Sequence, residues 1–286
     1  MTDIPGEREL RCVGLSVGTG GVFRSTIRNV LDAIETPAAE DEVAADRNNT
    51  ADETTSEMIR CLDEFLTESD RDGLIWIRCS WPAERLDAID RCLGEVARCA
   101  AERCDPAELM MIVTAASGEP TETAEGINQR LVCDCTAHTP LMISADGLRG
   151  SRQRTLTHSV DIASTLLDWF EVATDVFACE GTSLLPLING SPFTSREFVC
   201  FGDSRSVALR SSRFLFAQPR DTVLSSRTSN AEIRDVSEFR SRLTVKPDDP
   251  RDIHDVTVEH PDTTVELADC LSKFIADVHS RNPVFD

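Results

Sequence analysis

The stretch Met110 to Glu119, MMIVTAASGE, is the clearest candidate for an active-site edge in this chain. An apolar run breaks into Thr114, Gly118 and Glu119, the pattern by which a buried parallel strand delivers polar groups to the edge of an α/β sheet. Glu119 carries a carboxylate that could bind a divalent cation or exchange a proton. Its neighbours Ala116 and Ser117 contribute no ligand atom and one neutral hydroxyl. His138 precedes Pro140 on the approach to a later apolar run. Its imidazole could serve as a base, although a structural polar group is the plainer reading. Asp41 and Asp46 lie in an acidic stretch and could join a cation site, but carboxylates in such stretches are ordinarily solvated.

Three other clusters invite chemistry. Cys79-Ser-Trp-Pro-Ala-Glu-Arg85 combines a thiol with a guanidinium, yet it reads best as a strand-end loop with Pro82 opening the next helix. Gly18-Thr19-Gly20-Gly21 could cradle an anion with its amides. It lacks the Lys-Ser/Thr ending of a phosphate loop and reads as a turn. Cys133 and Cys135 form a C-x-C pair with no second pair at zinc-finger spacing.

The elements that must position these residues follow from periodicity. Arg11 to Val17 predicts a first buried strand, and Phe23 to Ile34 a helix. Residues 35–53 are polar and acidic and predict a surface loop. Thr54 or Thr55 is expected to cap a helix through Leu66, with Met58, Ile59, Leu62, Phe65 and Leu66 facing inward. Gly73 to Arg78 predicts a second strand, and Ala83 to Arg103 a long helix with Leu86, Ile89, Cys92, Leu93, Val96 and Cys99 inward. Leu109 to Thr114 and His138 to Ser144 predict two more strands, and His158 to Val172 a helix that includes His158 in its first turn. This alternation predicts an α/β fold with a mainly parallel sheet flanked by helices. Past residue 195, four short strand-like runs and a final helix from Val265 to His279 predict a small antiparallel sheet plus one helix. The expected domains are 1–195 and 196–286. Lys246-Pro-Asp-Asp249 is expected to be an exposed turn.

The 286 residues carry 29 basic and 50 acidic side chains, a formal charge of −21. Nucleic-acid phosphates and anionic membranes need a basic face, so neither partner is expected. No apolar run reaches the length of a membrane span, and the N-terminus lacks the basic and apolar regions of a signal peptide. A cytoplasmic location with reduced thiols is therefore expected for the eleven cysteines.

Several segments, in order, resemble the sulfatase family of the alkaline-phosphatase-like superfamily. MMIVTAASGE resembles a stretch ending Thr-Ser-Asp-His-Gly-Glu. RCVGLSV resembles the first strand, and IETPAAEDEVAAD the stretch after it. TTSEMIRCLDEFL with GLIWIR resembles the middle helix and strand. CDCTAHTPLMIS resembles Tyr-Asp-Glu-Leu-x-His-x-Pro-Leu. HSVDIASTLLDWFEV resembles Val-Asp-Ile-x-Pro-Thr-Leu-Leu-Asp, with Ser164 in place of Pro, and EGTSLLPLING and SRLTVKPDDPRDIHDV resemble later segments. Together they span nearly the whole chain.

The resemblance implies a sulfatase-like fold. In the family a formylglycine attacks the ester and a carboxylate-bound calcium orients it. Here Gly18 and Thr19 stand where the first strand supplies Asp ligands, and Ala116 and Ser117 where the Asp and His of the metal loop belong. The nucleophile segment is expected to be deleted near residues 46–54. Calcium is expected for the family, but its ligands are not retained, so no cofactor is expected here. The expected function is a catalytically inactive pseudo-sulfatase with a binding or regulatory role, its partner a protein such as a paralogous sulfatase. The alternative is a divergent sulfuric or phosphoric ester hydrolase with a site rebuilt from Glu119, Asp41, Asp46, His138 and Cys79. Of these, Glu119 and His138 are the residual-site candidates.

Overall fold

A computed structural model describes residues 11–17, 43–44, 51–67, 73–79, 86–118, 131–172, 180–220 and 240–281. The chain divides into two compact units that interleave in sequence. One takes residues 1–112, 142–150 and 159–191, the other 113–141, 151–158 and 192–286.

In the first unit β1 (Arg11–Val17) runs parallel to β2 (Val43–Ala44) and β3 (Gly73–Cys79). The β1–β3 register pairs Arg11 with Gly73 and Val17 with Cys79. Such near-continuous apolar runs are what a parallel strand with both faces covered requires. Helices α1 (Ala51–Thr67) and α2 (Leu86–Arg103) meet β3 through Met58, Cys92, Ile77 and Val96. The stripe at helical spacing explains this packing. Met58, Leu62 and Phe65 are buried, while Ile59 and Leu66 are half-buried. Cys92 and Cys99 are buried together on the inner face of α2 as small apolar side chains. Leu86, expected inside, is 68% exposed because it is the first residue of α2, before the helix reaches the core.

Helix α4 (Val160–Trp169), also of the first unit, buries Ile162, Leu166 and Leu167. Asp161 is fully enclosed within it and accepts the Thr182 N–H at 2.8 Å, while Thr165 Oγ1 accepts the Leu184 N–H at 2.9 Å. Gly181 has no room for a side chain, since a Cβ there would lie 2.2 Å from the Val160 carbonyl. These contacts fix the chain that leads into the short helix α5 (Leu185–Ile188). β4 (Met110–Thr114) and β5 (Leu141–Ala145) pair with each other, and the division between the units falls within both strands.

The second unit holds a four-stranded antiparallel meander, β6 (Phe198–Gly202), β7 (Ser206–Ser211), β8 (Phe214–Pro219) and β9 (Arg242–Val245), in that spatial order. Helix α6 (Pro261–Arg281) places Leu271 on one face of it, among Leu209, Phe216 and Leu243. The opposite face, Ala208, Leu215 and Ala217, is covered by Leu131 and Val132. With both faces covered, β7 and β8 carry long runs of buried side chains.

Three expectations of local structure are corrected. Residues 138–140 are not strand. A short helix α3 (Asp134–Ala137) precedes them, with His138 at its end, and β5 begins only at Leu141. His158 lies before α4 rather than in its first turn, and its Nε2 donates to the Cys200 carbonyl at 3.1 Å. The Lys246–Asp249 segment is a turn with Pro247 and Asp248 exposed as expected, but Lys246, 3% exposed, and Asp249 are buried. The predicted helix at residues 23–34 lies outside the described residues.

Candidate functional site

The edge after β4 is where the sequence places its candidate chemistry. Thr114 closes the strand half-buried, and Ala116 and Ser117 are exposed. Gly118 then returns the chain to α3, its N–H donating to the Thr136 carbonyl at 2.9 Å. A Cβ on Gly118 would sit 2.0 Å from the Cys135 carbonyl oxygen, so only glycine allows this approach. His138 is exposed, and its backbone N–H donates to Asp134 O at 2.7 Å. Gly18, Thr19, Asp41, Asp46 and Glu119 lie outside the described residues, as does the segment after Cys79, the last residue of β3.

The charged groups that do converge were not expected to. Within the second unit the Lys246 ammonium lies 2.7 Å from Asp252 and 3.1 Å from Asp134, and Nε of Arg210 stands 3.4 Å from Asp134. Two carboxylates face two cations, so the cluster is formally neutral. Its remaining lone pairs are also used. Asp252 accepts the Thr244 hydroxyl at 2.6 Å and the Asp134 N–H at 2.8 Å, and Lys246 also donates to the Asp249 carbonyl at 2.6 Å. Pairing of this kind is what buried carboxylates require, because an ion removed from water loses several kcal/mol of hydration, although Nη1 of Arg210 is buried without a hydrogen-bond partner.

Asp249 itself faces opposing influences. Burial pushes its carboxyl up, but N–H groups of His254 and Ile253 and the Lys246 charge outweigh burial and hold it below the usual carboxylate range. A neighbouring cavity of about 10 Å³, lined partly by Cys133, Thr244 and Asp252, has room for one water-sized group and none for an ester substrate.

The cluster had one legible signal. The only lysines are Lys246 and Lys273 among 29 basic residues, so a lysine here is a departure from the chain's own habit. An ammonium suits this place as a compact charge with three donors, where a planar guanidinium would need a wider pocket.

Calcium does not fit the described residues. It takes six to eight oxygen ligands, mainly carboxylate. Ala116 offers none and Ser117 a neutral hydroxyl, while Asp134 and Asp252 are already spanned by Lys246. Among the described residues no three His, Cys, Asp or Glu side chains are arranged to hold a metal ion. The sulfurs of Cys133 and Cys135 are joined in a disulfide, contrary to the expectation of reduced thiols, because the turn into α3 brings the two side chains together. Among the described residues no helix is long and apolar enough to cross a membrane.

No family model matches the sequence, and no curated protein matches it at a significant level. Solved structures do match. One is a 2-O GAG sulfatase, 11% identical, covering 96% of this chain and 72% of its own, with a TM-score of 0.63. Another is a sulfatase from a study of glycosaminoglycan metabolism by Bacteroides thetaiotaomicron, 14% identical over 82% of this chain, with a TM-score of 0.60. A third is the phosphonate monoester hydrolase of Agrobacterium radiobacter, 14% identical over 80% of this chain, with a TM-score of 0.59. The chain spans 56% and 62% of the lengths of the last two. The fold is therefore a sulfatase-like α/β fold, and the chain carries a C-terminal antiparallel sheet and helix.

Proposed function

We propose that this chain is a pseudo-sulfatase, a sulfatase-fold protein that does not hydrolyse esters and acts by binding a protein partner. The observation that carries this reading is the contrast at the two places where charge matters. The edge after β4 presents Ala116 and Ser117 to solvent, and the carboxylates of half-buried Asp134 and buried Asp252 are neutralised by Lys246 and Arg210. Sulfate ester hydrolysis needs a nucleophile and a cation that offsets the charge of the sulfate. Gly18 and Thr19 supply no carboxylate for that cation, and the resemblance implies that the nucleophile segment is deleted near residues 46–54.

An intact fold without these groups retains surfaces and not turnover. The net charge of −21 favours a protein partner with a basic face over nucleic acid or anionic lipid. A paralogous sulfatase is the partner that shared ancestry suggests, in the cytoplasm.

The test is metal content together with hydrolysis. Protein purified without chelator, in calcium and magnesium, is expected to hold less than about a tenth of an equivalent of divalent metal. It is also expected to release no product from aryl sulfates, phosphates or phosphonates. Metal-dependent turnover that is abolished by Glu119→Gln or His138→Ala would overturn the proposal in favour of a rebuilt hydrolase.

A further inference from the structure

The bond between Cys133 and Cys135 closes a ring around one residue, Asp134. So short a loop removes little freedom from the unfolded chain, and the bond therefore adds little stability by loop closure. Its surroundings give it a different value. The Asp134 N–H donates to Asp252, and the Asp134 carboxylate meets both Lys246 and Arg210. Gly118 backs onto the Cys135 carbonyl and donates its N–H to Thr136 O. The bonded turn thus anchors both the charge cluster and the loop after β4.

The two sulfurs also differ in access. Cys133 is buried and Cys135 is half-buried. Cys99, Cys104, Cys200 and Cys270 are not disulfide-bonded. Burial raises the thiols of Cys99 and Cys104 and pushes that of Cys200 up to about 12, which makes them poor thiolate donors. The Cys133–Cys135 pair differs from these four in being oxidised, and it sits at a structural junction.

We propose that Cys133–Cys135 is a redox-labile cystine, a modification site for a dithiol reductant, and that its reduction releases the 115–118 loop from α3. The proposal does not depend on whether the chain turns over an ester. In the first step a donor thiolate attacks the accessible Cys135 sulfur. The Cys133–Cys135 bond breaks, a mixed disulfide forms, and the Cys133 sulfur leaves as a thiolate. The Thr136 hydroxyl lies 3.7 Å from that sulfur and donates to the Cys133 carbonyl at 2.9 Å. In the second step the donor's other thiolate attacks the donor sulfur of the mixed disulfide and frees the Cys135 thiolate. The donor ends as a disulfide, having given two electrons, and both released thiolates take up protons.

The test uses the full-length folded protein and dithiothreitol as the probe. Alkylation followed by peptide mass spectrometry is expected to leave Cys133 and Cys135 unmodified before reduction, even after denaturation, and to label both after dithiothreitol treatment of the folded protein. Labelling of both without reductant overturns the proposal, as does a bond that dithiothreitol reduces only after denaturation. Hydrogen exchange supplies the second arm. Reduction is expected to speed exchange of the Gly118 and His138 amides at least about tenfold while the β7 and β8 amides stay slow. Unchanged exchange at Gly118 overturns the coupling between bond and loop. The variant Cys133→Ser/Cys135→Ser is expected to exchange like the reduced protein and to ignore dithiothreitol. A variant that behaves like the oxidised protein overturns the proposal too.

Discussion

The cluster around Lys246 and the loop after β4 both belong to the second unit, and they treat charge in opposite ways. The cluster buries two carboxylates and satisfies each of them with cations and hydrogen bonds. The loop exposes Ala116 and Ser117 and holds its shape through a glycine contact. Charge is paired where it lies inside the unit, and the two exposed loop residues carry none. The two places answer to different constraints, because an unpaired buried ion is punished in every folded molecule, whereas an exposed loop side chain carries no such penalty.

The strongest way to break this comparison is Lys246→Met. It leaves Asp134 and Asp252 facing each other without the ammonium and is expected to cost about 3–5 kcal/mol in denaturant unfolding. Adding Asp134→Asn and Asp252→Asn is expected to return much of that loss, since the uncompensated charge goes with them. A Lys246→Met loss under about 1 kcal/mol would show that the cluster is no more constrained than the surface.

Gly118→Ala tests the loop itself. Its Cβ would meet the Cys135 carbonyl at 2.0 Å, and backbone must move to make room. A loss of about 1–3 kcal/mol is expected. A neutral result would mean the loop is not held against α3.

Acid sharpens the contrast next. The carboxyl of Asp203 is pushed up by burial, but hydrogen bonds from the Arg205 and Ser206 N–H groups and the Ser206 hydroxyl outweigh that and hold it below the usual range, as Asp249 is held. For both, the folded state keeps the ionised form at lower pH than the unfolded chain does. Their stabilisation is therefore complete above an unfolded carboxylate value of about 3.9 and is lost as pH falls through the depressed folded values. Unfolding measured from neutral pH down to that window is expected to show falling stability, and Asp203→Asn a shallower fall. Stability that rises on acidification would contradict the hydrogen bonding described.

The smallest effect is expected at the exposed edge. Ala116→Asp with Ser117→His restores two ligand types on a solvated surface and is expected to change stability by less than about 0.5 kcal/mol. Calorimetric titration with calcium is expected to show no added binding, because two side chains fall short of a coordination shell. Tight binding would mean that other carboxylates already complete the site.

Much of the fold was legible because apolar spacing reports burial directly. Arg11–Val17, the Met58–Leu62–Phe65 stripe and the four C-terminal strands appear where periodicity puts them. The final helix begins at Pro261, four residues before Val265, because its first turn is too polar to show a stripe. Helix α3 escaped for a related reason. Four residues cannot express a helical period, and its sequence, DCTA, is polar at the start. The burial of Lys246 was hidden by its neighbours. Pro247, Asp248 and Asp249 are turn residues by type, and the partner Asp134 is remote in sequence. Local patterns report local structure, and ion pairs between distant segments leave no local trace. Of the positions the sequence singled out, Ala116 and Ser117 lie exposed after β4 and Gly18 and Thr19 lie outside the described residues, while the charge cluster showed only through a lysine in an arginine-rich chain.

The hydrogen bond from Asp134 to Asp252 joins residues 118 positions apart. On a ribosome, Asp134 emerges long before any of its charged partners exist. The turn around it must wait, solvated, while the meander and β9 are made, and only then can Lys246 settle between the two carboxylates. A nascent chain stopped short of β9 would hold Asp134 with Arg210 of β7 as a partner, but without the ammonium and the second carboxylate that complete the cluster.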